Sequence, residues 1–132
     1  MEVILFCRGF CFSIPCGTKA KKELNKIGFR NYKFFDNEGA QCHIFHDSEN
    51  IIIAFRGTEP TQFSDVKADL LAFKRKSKTE GKVHMVFKIE LRKLWCDISG
   101  VLEKRKSQKV WITGHSLGGA MATLCGSRLE ER

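Results

Sequence analysis

No apolar run in this sequence approaches the roughly 20 residues that a helix needs to cross a bilayer, so nothing in it reads as a membrane span. The six cysteines, Cys7, Cys11, Cys16, Cys42, Cys96 and Cys125, contain no C-x-x-C pair. A chain of this size and apolar content needs no disulfide framework, so they are expected to be reduced thiols. Internal repeats and low-complexity tracts are missing, which excludes solenoids and arrays. The two basic clusters, Lys74 to Lys78 and Glu103 to Lys109, carry neither interleaved aromatics nor zinc-knuckle spacing. Nucleic acid is therefore not an expected partner, and the clusters read as solvated loops and helix ends. At the N-terminus a short apolar run is broken by Glu2 and Arg8, a poorly formed signal peptide that favours a cytoplasmic over a secreted location.

What is present is the composition of one folded domain. The 132 residues are 42% hydrophobic and 29% charged, with a formal net charge of +8. That length supports a single core. Residues 1–16 stand apart as a cysteine-rich, poorly ordered segment, and residues 17–132 form the domain, with Lys74 to Lys82 as its loosest linker.

Along the chain, "GTKAKKELNKIGF" sets Leu24 and Ile27 among lysines and closes on Gly28, the signature of a short surface helix with a glycine stop. "NYKFFD", "AQCHIFHD" and "NIIIAFRG" are strand-like runs separated by the turn sequences "DNEG" and "DSEN", and the first two predict a hairpin. Ile51 to Phe55 show no alternation, as expected of a central strand covered on both faces. Phe87, Leu91, Leu94, Trp95, Ile98, Val101 and Leu102 recur at helical spacing from Val86 to about Arg105. A weaker stripe, Phe63, Val66, Leu70 and Phe73, predicts an amphipathic segment. The order strand, amphipathic segment, helix, strand, turn, helix is that of an α/β fold.

The chemistry concentrates in "KVWITGHSLGGAMATL". Gly114, His115, Ser116, Leu117 and Gly118 satisfy G-x-S-x-G, with a strand before them and a helix after. Glycines there allow a tight elbow that lifts the serine hydroxyl above the sheet. A serine is a poor nucleophile until a base takes its proton, and the oxyanion formed needs preoriented donors. The backbone N–H of Leu117, at a helix start, offers one. Thr58, after a buried strand and Gly57, offers a second through its N–H and hydroxyl.

"IIIAFRGTEP", "GKVHMVF" and "KVWITGHSLGGAMATL", in this order, resemble the lipase class 3 family, the fungal-lipase-like branch of the α/β hydrolases, from about Phe29 onward. The resemblance implies a partial α/β-hydrolase sheet with flanking helices, ending after the nucleophile helix. It implies Ser116 as nucleophile, Thr58 and Leu117 as the oxyanion hole, and Gly114, His115 and Gly118 as the rest of the elbow. Glu59 to Leu70 corresponds to the lid of related lipases, whose apolar stripe would cover the site in water and open against lipid. Val86 and Val66 depart from the family pattern, which has glycine and commonly tryptophan there.

The family order is serine, acid, histidine. Leu117 to Arg132 contains no histidine, so the resemblance places the acid and base outside these residues. The four histidines present do not replace them: His115 lies within the elbow, His84 near a helix start, and His43 and His46 on opposite faces of a strand, which also argues against a shared metal site with Cys42. The implied activity is serine carboxylester hydrolysis of a lipid or other ester, of the triacylglycerol lipase type. It needs no cofactor or metal and makes transient contact with a lipid surface. The competing expectation is a non-catalytic lipase-like fragment or module that binds a membrane or a partner.

Overall fold

The computed structural model describes residues 3–6, 18–56, 80–115 and 117–131. Strands β1 (Val3–Phe6), β2 (Asn31–Asn37), β3 (Ala40–His46), β4 (Asn50–Phe55) and β5 (Lys109–Gly114) form a single sheet in the order β1-β5-β4-β3-β2. Helices α1 (Thr18–Lys26), α2 (Glu80–Leu102) and α3 (Leu117–Glu130) flank it. The fold is α/β, as the element order implies: β1, β5 and β4 run parallel, and β3 and β2 add antiparallel strands at one side.

The hairpin forms where turn chemistry places it. Glu38 and Gly39, with φ of 54° and 85°, make a two-residue turn whose twist matches the flanking strands. Asn37 then ties the hairpin to α2, its Nδ2 donating to the Lys93 carbonyl at 2.8 Å and to Asp97 Oδ2 at 2.6 Å.

Helix α1 ends as its glycine requires. Gly28 has φ of 96°, Phe29 N–H donates to the Leu24 carbonyl at 3.0 Å and Gly28 N–H to Asn25 at 3.2 Å, the paired bonds of a Schellman cap. Ile27 belongs to the turn rather than to the buried stripe and is 69% exposed, while Ala20 joins Leu24 beneath the helix.

The faces of the sheet are unequal. Phe35, Cys42, Ile44, Ile51, Ile53, Phe55, Val110 and Ile112 meet Leu91, Leu94, Trp95, Ile98 and Leu102 of α2 and Met121, Ala122, Cys125 and Leu129 of α3 in the main core. Leu94 and Ile98 are fully buried there, each contributing about 1.5–3 kcal/mol. Arg128 closes the helix pair, its guanidinium 3.9 Å from the centre of the Trp95 ring. On the other face Leu24 of α1 covers a smaller cluster with Phe45, Ala54, Phe29, Tyr32 and Ile52.

Of the segment that the sequence sets apart as residues 1–16, Val3–Phe6 pair with Val110–Thr113 as a parallel edge strand. The predicted long helix begins earlier than its apolar stripe, at Glu80, so His84 and Val86 fall within its first turns. The stripe Phe63 to Phe73, the lid segment Glu59 to Leu70 and the basic run Lys74 to Lys78 lie outside the described residues. Among the described residues no helix is long and apolar enough to cross a membrane.

Candidate active site

The carboxyl ends of two adjacent parallel strands set the place. Phe55 and Gly114, the last residues of β4 and β5, are register partners, so both strands stop at one level. In open α/β sheets this is the edge where ligands bind. After Gly114 the chain reverses into α3 through a tight turn in which Gly118 N–H donates to the His115 carbonyl at 3.0 Å.

That reversal is possible only with glycine at two positions. A Cβ on Gly114 would run into the Gly118 carbonyl and stand 2.8 Å from the Gly119 nitrogen. One on Gly118 would strike the Phe55 carbonyl oxygen and stand 3.0 Å from its carbon. The first turn of α3 therefore lies on the backbone of both strand ends. Leu117 opens the helix, so its N–H has no partner in the helical ladder and sits at the positive end of the dipole. His115 is exposed and Leu117 half-buried.

Arg56 continues β4 at this edge. Its N–H donates to the Gln41 carbonyl at 3.0 Å and its Nη1 to Gln41 Oε1 at 3.0 Å. Gln41 Nε2 in turn donates to Asp36 Oδ2 at 2.7 Å. Asp36 and Gln41 are hairpin partners on β2 and β3, so the hairpin braces the strand exit that leads to Gly57 and Thr58. This brace is missing from the sequence reading, although the turn centred on Glu38 and Gly39 already makes positions 36 and 41 opposite.

Three of the histidines can be placed by their side chains. His43 is buried on the α1 face, its Nδ1 2.9 Å from Tyr32 Oη and its ring packed against Tyr32 and Phe34. Burial, then the nearby Arg56 charge, push its pKa down to about 4, so the imidazole is neutral at pH 7. His46 lies on the α2 face, opposite His43, at the other end of the sheet from the elbow. His115 alone stands at the elbow. Cys42 and Cys125, buried in the main core, have thiol pKa values pushed up to about 12, chiefly by desolvation, and are protonated and inert as nucleophiles. With Cys96 they are free thiols.

Of the residues that the sequence assigns to the site, the structure brings Gly114, His115, Leu117 and Gly118 together at the carboxyl edge of β4 and β5. Ser116 and Thr58 lie outside the described residues. The family described as lipase (class 3) matches residues 52–132. The chain belongs to the lipase class 3 family. This match begins at Ile52, within β4, and takes in α2, β5, the elbow and α3. No curated protein and no solved structure matches the chain. Membership makes the chain a lipase-like hydrolase by family, and the α/β sheet described above is the matching architecture.

Proposed function

We propose that this lipase class 3 chain carries the nucleophile and oxyanion donors of a serine carboxylester hydrolase acting on lipid esters of the triacylglycerol type. Ser116 Oγ attacks the ester carbonyl carbon while a general base takes its proton. The tetrahedral oxyanion is held by the N–H of Leu117 and by Thr58. Collapse expels the alcohol, which receives the proton, and leaves an acyl-serine. Water hydrolyses that ester by the same steps and frees the fatty acid.

The observation that carries this reading is the contact of Gly118 with the Phe55 carbonyl. It puts the first turn of a helix, which opens on the N–H of Leu117, beside the exit of the strand that leads to Thr58. His43, buried and neutral on the α1 face, and His46, at the far end of the sheet, are not assigned the role of base. The proposal gives proton transfer to an acid and a histidine outside these 132 residues, in the family order. The test is labelling of the natural protein with a fluorophosphonate, in wild type and Ser116→Ala. Labelling that disappears in the variant is expected. A folded protein that stays unlabelled, or label that persists in Ser116→Ala, overturns the assignment and favours a non-catalytic lipase-like module.

A further inference from the structure

At the end of the sheet opposite the elbow, a cavity of about 140 Å³ opens between β2, β3 and the loop joining α2 to β5. Ile51 and Val101 are the apolar residues that line it. Lys33, His46, Lys104 and Arg105 also line it, and among the described residues no carboxylate does. Two lysines and an arginine thus line it beside an imidazole, from three separate places in the chain. Among the described residues none of Lys33, Lys104 and Arg105 is paired with a carboxylate, unlike Lys26 and Lys93, which pair with Glu23 and with Glu90.

The loop that presents these charges is braced. Gln108 Nε2 donates to the Asp47 carbonyl at 3.2 Å, and its Oε1 accepts from Lys106 N–H at 2.9 Å. Arg105 Nη1 donates to the Gln108 carbonyl at 3.2 Å, which holds the guanidinium at the cavity wall. The volume holds a few small groups and falls below the roughly 300–1,000 Å³ of clefts for drug-sized ligands. A compact, highly charged anion meets both limits.

We infer that this cavity binds a phosphate group, gripped by Lys33, Lys104 and Arg105 through charge-assisted hydrogen bonds. The site stands the length of β5, about 20 Å, from the elbow. A bilayer bound there would hold the candidate active site away from lipid. That geometry favours a free phosphate or phosphomonoester over a lipid headgroup as the source.

The test titrates inorganic phosphate into the natural protein, followed by 31P line width, against chloride at equal ionic strength. A parallel arm measures sedimentation with phosphatidylcholine vesicles with and without phosphatidic acid. Exposed Lys104 is changed to Gln, alone and with Arg105→Gln, and Lys22→Gln on α1 removes the same charge elsewhere. Saturable phosphate binding, weakened about tenfold or more by the double change and within twofold by Lys22→Gln, is expected. Binding confined to phosphatidic acid vesicles with the same dependence on Lys104 upholds the phosphate site and makes a lipid its source. Binding in neither arm, or equal loss in Lys22→Gln, overturns the proposal. Thermal melting of each variant separates lost binding from lost folding.

Discussion

Gly118 of α3 and Phe55 of β4 touch backbone to backbone: the space that a side chain would need at Gly118 is filled by the Phe55 carbonyl. The contact joins the elbow to the neighbouring strand end, so a methyl group there must push the helix off the sheet. Gly118→Ala is expected to destabilise the chain by about 2–3 kcal/mol, measured by denaturant unfolding. Gly100→Ala, in α2 with nothing near its added methyl, is expected to stabilise by about 0.5–1 kcal/mol. Equal effects at the two sites would contradict the close approach.

His43 makes stability depend on pH. Its folded pKa of about 4 lies below the ordinary histidine value of 6.5, so between those limits the unfolded chain binds the extra proton. The stabilisation is fully present above pH 6.5 and is lost as pH falls towards 4, amounting to about 2 kcal/mol by pH 5. Unfolding measured at pH 7.5 and pH 5 in wild type and His43→Phe should show the smaller loss in the variant. Identical losses would mean that His43 titrates normally.

Cysteine reactivity should divide by burial. Iodoacetamide at pH 8 is expected to modify exposed Cys96 in the native protein and to reach Cys42 and Cys125 only after denaturation. Mass mapping of the modified peptides reads this directly. Native labelling of Cys42 at the rate of Cys96 would show that the main core opens.

The bond between Arg56 and Gln41 predicts an effect on turnover that rests on the proposed hydrolysis. Gln41→Leu removes the side-chain half of the brace and leaves the backbone bond from Arg56 to residue 41. With the strand exit loosened, kcat for ester hydrolysis by the natural protein should fall about tenfold with little change in KM. Steady-state kinetics with a short-chain ester, alongside thermal melting, separates a misplaced donor loop from a lost fold.

The local elements were legible from residue patterns because each is encoded within a few turns of chain. The apolar spacing of Leu91, Leu94, Ile98 and Leu102 marks α2, the unbroken Ile51 to Phe55 marks an interior strand, and the turn residues between Tyr32 and His46 mark the hairpin. Gly28 announced a stop but not its consequence. Helical spacing counts Ile27 with Leu24, yet the cap rotates it into solvent.

Sequence alone determined the elbow pattern and the α/β order, since short-range sterics and periodicity suffice for them, and three ordered motifs carried the resemblance to the lipase class 3 family. Tertiary structure alone decided that Val3–Phe6 closes the sheet beside β5, that Gln41 braces Arg56, and that Lys33, His46, Lys104 and Arg105 share one cavity. Those residues lie far apart along the chain, and no local pattern encodes their meeting. Their juxtaposition comes from strand order and register, which are set when the apolar faces of α2 and α3 are buried together against the sheet.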